Sequence, residues 1–170
     1  MNSIFKTQNN LVVDQLPDGS IREIYLNEYS GNLYYRYKID AWDSTTQHPC
    51  IHLGHDKDGQ QYVIHNHLDS HGKTAIDTWD DFAKGQQVYL DERSCSNSNL
   101  KIIDNALEQV RRGEKYNALF YNCQTTVNLA CDNVRTSETV NKWKEIVTVA
   151  VLGGVVINSV FGKKQPRNYR

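Results

Sequence analysis

A cysteine that directly follows a helix-capping residue is a candidate nucleophile, and Cys123 has that position. Asn122 before it is a good N-cap, so a helix is predicted from Asn122 through Val127, Ala130, Cys131 and Val134. In the first turn of that helix, unpaired backbone N–H groups and the helix dipole favour the thiolate over the thiol. The same N–H groups can receive an oxyanion. A buried structural cysteine fits the position as well, and that is the reading for Cys131 further along the helix.

A thiol nucleophile needs a base. The six histidines all fall between residues 48 and 71. Strand alternation puts His48, Cys50 and His52 on one face of a first strand, and Val63, His65 and His67 on one face of a second. Two registers are open. A two-residue Asp58-Gly59 turn sets His52 opposite His65, whereas a wider loop through Gly54–Gly59 sets His48 opposite His65. In both, two histidines share a face, so one ring can take the thiol proton while the other orients it. Taken singly, His52, His55, His67 and His71 read as solvated or hydrogen-bonded strand residues. Cys50, His52, His65 and His67 also have the chemistry of zinc ligands. They lack Cys-x-x-Cys or His-Glu-x-x-His spacing, so a metal-free site is expected. No glycine-rich phosphate loop and no Gly-x-Ser-x-Gly elbow occur, and no cofactor is expected.

The elements that must position these residues divide into strands first and helices last. Runs rich in Val, Ile and Tyr between residues 11 and 39 are broken by turn signals at 17–20 and 30–32. Residues 48–54 and 61–65 read as a hairpin, and 76–90 as a surface turn followed by a strand ending at Leu90. Beyond the polar loop 94–99, Ile102, Ile103, Ala106, Leu107 and Val110 recur at helical spacing, with Gly113 as the stop. A last helix is predicted over 138–161. This order defines an α+β class, an antiparallel sheet followed by helices, and excludes a Rossmann-type alternation.

The 170 residues suit one domain, and 39% apolar with 23% charged residues excludes a largely disordered chain. A net charge of −1 argues against nucleic-acid binding through a basic surface. Lys163, Lys164, Arg167 and Arg170 give the last eight residues +4, so residues 1–162 hold −5. The organisation read from this is a loose N-terminus (1–10), a catalytic domain (11–137), an apolar helix (138–162) and a basic tail (163–170). Residues 146–162 carry no charge and approach the lower length limit for a bilayer span. The start MNSIFKTQNN has no apolar leader core, so a cytoplasmic protein with reduced thiols is expected, associated with membrane through its C-terminal helix.

Three motifs in this order are similar to those of one family. The strand HPCIHLG, the later YVIH and the box YNALFYNCQTTVNLA resemble the lecithin retinol acyltransferase-like proteins, in their phospholipase A/acyltransferase branch. The resemblance covers roughly residues 35–162. Gln124, Thr125 and Thr126 stand where the family box continues Glu-His-Phe. The resemblance implies a circularly permuted papain-like fold with Cys123 as nucleophile, His48 as general base and acid, and His65 orienting it. It implies attack of Cys123 on a glycerophospholipid ester, a thioester intermediate, and transfer of the acyl group to water or an amine at a membrane surface. A permuted papain-like peptidase or amidase uses the same triad. A catalytically silent membrane-associated interaction protein shares the scaffold.

Overall fold

The computed structural model describes residues 6–8, 10–37, 47–67, 72–117 and 121–135, all within the compact unit formed by residues 1–137. The chain is an α+β protein in which an antiparallel sheet comes first and most of the helix follows. Strands β1 (Lys6–Gln8), β2 (Leu11–Gln15), β3 (Ile21–Tyr25), β4 (Leu33–Tyr37), β5 (Gln47–His55), β6 (Gln61–His67) and β7 (Lys73–Thr78) precede a short helix α1 (Trp79–Ala83). After β8 (Tyr89–Leu90) come α2 (Asn99–Arg112) and α3 (Cys123–Asp132). β1 pairs with β2, so the sheet begins inside the segment that composition alone reads as loose.

β5 is the hub of the sheet. One edge pairs with β4 along Gln47–Ile51 and touches β3 at His55, while the other edge pairs with β6, which pairs in turn with β7. One face carries Val12, Ile24, Leu33, Ile51, Leu53, Ile64 and Ile76 against Ile102, Ile103, Ala106 and Leu107 of α2 and Val127 and Ala130 of α3. On the other face Cys50 and Val63 pack under Phe82 of α1, with Tyr34, Trp79 and Val88 around them. Thr78 caps α1 by accepting the Asp81 N–H at 3.1 Å. This helix replaces the surface turn expected after residue 76, and the capping spacing Thr78-x-x-Asp81 was its sequence signal.

Neither expected register of the β5–β6 hairpin occurs. His55 pairs with Gln61 and Gly54 with Tyr62, but His52 pairs with Val63 and Ile51 with Ile64, so a bulge sits between His52 and Gly54. The loop is the three residues Lys57–Gly59, with Gly59 at φ +83° and its N–H donated to the Asp56 carbonyl at 3.1 Å. Asp58-Gly59 therefore closes a three-residue turn, and one carboxylate oxygen of Asp56 stabilises it by accepting the Asp58 and Gln60 N–H groups. At the other end the ladder stops at Ile51↔Ile64. The His52 N–H donates to Asn32 on the β4 side at 2.9 Å, so by alternation the nitrogen of Pro49 faces β6. Proline has no hydrogen to give there, and pairing ends.

Cys95 and Cys131, 36 positions apart in sequence, form a disulfide with Cα atoms 5.0 Å apart. This corrects the expectation of reduced thiols for these two residues. It ties the C-terminal turn of α3 to the loop before α2, where Ser96 also donates to the Asp132 carboxylate at 2.9 Å.

Gly54 is where β3 comes closest to β5. A Cβ at this position would lie 2.2 Å from the Tyr25 carbonyl oxygen, whereas one at Gly59 would meet nothing within 4 Å. Gly54→Ala is therefore expected to cost about 3 kcal/mol through forced strand displacement, and Gly59→Ala about 1 kcal/mol through its left-handed backbone alone. Denaturant titration of both variants measures this, and equal losses would show that the β3–β5 approach constrains nothing.

Candidate active site

The bulge decides which side chains can meet. Because His52 opposes Val63, counting back along the strands places Cys50 beside His65 and makes His48 and His65 diagonal neighbours on one face. Their rings meet: His48 Nε2 lies 3.0 Å from His65 Nδ1, with the planes at 77°. The next strand continues the diagonal. Val63 pairs with Asp77 and His65 with Ala75, so Asp77 again sits one step along on the same face. Its Oδ2 lies 2.6 Å from His65 Nε2. Thus β5, β6 and β7 each supply one member of a line from His48 through His65 to Asp77.

The line is buried under α1. His48 is fully buried, His65 is 3% exposed, and both rings contact Phe82, with centroids 5.5 and 5.4 Å away. Arg36, the β4 register partner of His48, is buried too, and its guanidinium lies over the same Phe82 ring at 5.6 Å. It also donates to the Phe82 carbonyl and to the Tyr37 carbonyl. A cation is therefore part of this face.

Cys123 opens α3, as its neighbour predicts. The Asn122 side chain accepts the Thr125 N–H at 3.0 Å, and the helix ends at Asn133, φ +59°. The thiol-bearing residue is 4% exposed. A buried polar network holds the helix start in place. The Tyr121 hydroxyl donates to Gln109 at 3.0 Å and lies 3.0 Å from the Thr74 hydroxyl, while Gln109 donates to the Thr126 carbonyl at 3.1 Å. Burial pushes the Tyr121 hydroxyl above its ordinary value. Thr74 pairs with Asn66, so the first turn of α3 stands at the open end of the hairpin, the end that carries His48 and His65. The apolar side of α3 packs on the opposite sheet face from the histidine line.

The remaining predicted ligands and histidines divide. His52 is 3% exposed, between the rings of Tyr34 and Trp79 at 6.1 and 6.0 Å, and is no partner of His65. His55 lies at the turn, its Nδ1 2.8 Å from the Asp56 carbonyl. The side chain of His67, all of His71, and the apolar and basic segments 138–162 and 163–170 lie outside the described residues. Cys50 is a fully buried thiol beneath Phe82. Among the described residues no three His, Cys, Asp or Glu side chains are grouped so as to hold a metal ion. No described helix is long and apolar enough to cross a membrane.

Asp77 and Arg36 are the site residues that the sequence reading passed over. Asp77 had a usable signal: in KTAIDT it alternates with Ala75, which puts an acid on a strand's apolar face. Arg36 had none, since a cation in a tyrosine-rich strand reads as solvated. No protein-family model matches this chain, and no curated protein matches it.

Thiol chemistry separates the cysteines. Burial pushes the Cys50 thiol well up, and Cys95 and Cys131 are bonded to each other. Iodoacetamide at neutral pH should therefore label Cys123 first in the native protein, with Cys95 and Cys131 reacting only after reduction. Peptide mapping gives the order, and prior labelling of Cys50 is the contrary outcome.

Burial also holds His52 below its ordinary value of 6.5, against smaller opposing contributions from the Gln61 side chain and the Tyr29 backbone. The unfolded chain then takes up this proton first as pH falls. Stability from neutral His52 is complete above about pH 6.5 and is lost as pH falls below it. The aromatic replacement His52→Phe should flatten the decline in unfolding free energy between pH 7 and pH 5. An unchanged decline would place the titration elsewhere.

Proposed function

We propose that the chain is a thiol-dependent acyltransferase and phospholipase A acting on glycerophospholipid esters. The observation that supports this reading is the 3.0 Å contact between His48 and His65, together with the position of Cys123 directly after the Asn122 cap of α3. The order His, His, Cys along the chain supports a permuted papain-like arrangement, and the sequence resemblance supports a lipid ester over other acyl donors.

The chemistry runs in two halves. His48 takes the proton of the Cys123 thiol, and the sulfur attacks the ester carbonyl, so a carbon–sulfur bond forms and the carbonyl oxygen becomes an oxyanion facing the N–H groups of α3. The ester carbon–oxygen bond then breaks, His48 returns the proton to the departing lysolipid, and a thioester remains on Cys123. Water or an amine attacks the thioester, giving up a proton to His48, which restores the thiol as the acyl group leaves. Cys123 and His48 meet, in this reading, at the open end of the hairpin, where Pro49 ends the β5–β6 ladder. The uncharged segment 146–162 and the four cations behind it serve as the membrane-binding part, by apolar burial and attraction to anionic headgroups.

Incubation with vesicles of labelled phosphatidylcholine, with and without an amine acceptor, tests the reading. Cys123→Ser should form no acyl-enzyme, and His48→Ala should lose activity by about 100-fold to 10,000-fold. His65→Ala should lose most of it, and His52→Ala should keep much. A dead His52→Ala beside an active His48→Ala overturns the assignment. Cleavage of amides without lipid turnover points to the peptidase, and no turnover of either kind to a silent scaffold.

A further inference from the structure

We propose that Asp77 is a positioning residue that fixes which nitrogen of each histidine carries its proton, and so makes Nδ1 of His48 the basic atom of the pair. The kinetic consequence rests on the acyl-transfer reading above; the protonation pattern does not.

The argument follows the hydrogen bonds outward from the carboxylate. An ionised carboxylate only accepts, so the 2.6 Å contact from Asp77 Oδ2 requires a hydrogen on His65 Nε2. In a neutral ring Nδ1 of His65 is then the acceptor. His48 Nε2, 3.0 Å away, must supply the hydrogen, which leaves the lone pair of His48 on Nδ1. One carboxylate thereby sets two tautomers in series. Without it either ring could turn its proton the other way, and half of those states would present a protonated Nδ1 that can take nothing from a thiol.

The competing pattern places two protons on His65 and points its Nδ1–H at His48. In that pattern His48 accepts at Nε2 and carries its own proton on Nδ1, where it can take nothing from a thiol. In the proposed resting state both rings are neutral. When His48 takes a proton at Nδ1, its Nε2–H still donates to His65 and the His65 Nε2–H still donates to Asp77. No proton passes along the line; the carboxylate stabilises the imidazolium through the intervening ring.

Long-range proton–nitrogen correlation spectra of the full-length 15N-labelled protein at neutral pH read the tautomers directly. His48 and His65 should both show Nε2–H with Nδ1 unprotonated. In Asp77→Asn the amide can donate to His65 Nε2, so both rings should switch to Nδ1–H, while kcat/KM on vesicle phosphatidylcholine falls by about 100-fold or more with KM little changed. Asp77→Glu should keep the wild-type ring pattern. A proton on His48 Nδ1 in the wild type, or ring patterns that Asp77→Asn leaves unchanged, overturns the proposal. Should Asp77→Asn not fold, the wild-type spectrum alone decides. The stated pattern in a protein that turns over no acyl substrate would sink the acyl-transfer reading and leave the assignment of Asp77 standing.

Discussion

A single extra residue in β5 is the constraint on which the site depends. On the turn side of the bulge, paired residues of β5 and β6 have positions of equal parity; beyond it, odd pairs with even. Without the bulge, His48 would share a face with Asn66, and His65 would point into the apolar layer under α2 and α3. A one-residue slip inverts a strand, and here the inversion is built in where it brings the two imidazoles to one side. Gly54 makes this possible because the Tyr25 carbonyl occupies the space a side chain would need. The residue that the sequence offers as part of a loop is thus a close-approach point inside a strand.

The face so created concentrates polar groups where desolvation is expensive. Two imidazoles and a guanidinium lie around one phenyl ring, a carboxylate bonds to the second imidazole, and each has polar partners. Buried groups of this kind are tolerated when their hydrogen bonds are made and are costly when one partner is removed. Phe82 excludes water from the line, and α1 exists to carry it: its five residues bury only Phe82 and Ala83. On the opposite face the Tyr121–Gln109–Thr74 network does comparable work for the start of α3. The positions of the histidine line and of the helix start are therefore fixed by separate polar networks joined through β6 and β7.

Sequence periodicity was enough for β2 to β6, α2 and α3, because apolar alternation, Asn122 and Gly113 act within a few residues of where they stand. The pairing of His48 with His65 was expected for a different geometric reason from the one that holds. They were to stand directly opposite each other, and instead they meet on a diagonal. Turn chemistry at Asp58-Gly59 could not reveal this, since register also depends on the bulge that the β3 backbone imposes from elsewhere. Asp77 and the helix carrying Phe82 were missed because 76–90 was read as surface, while Thr78 and Asp81 do signal a helix start. The Cys95–Cys131 bond joins residues 36 apart in sequence, and no local pattern specifies such a partner.

That bond changes what the chain is topologically. All of α2 lies between its two cysteines, so residues 95–131 form a covalent ring even in the unfolded chain. A polypeptide with a ring of this size cannot pass a narrow pore as a single strand. Any unfolding motor or translocation channel that takes the chain from either end must admit two strands abreast at Cys95 or Cys131, or wait for reduction. The same ring keeps α3 linked to the start of α2 after the sheet has come apart, so the helical half of the molecule begins each refolding event already closed.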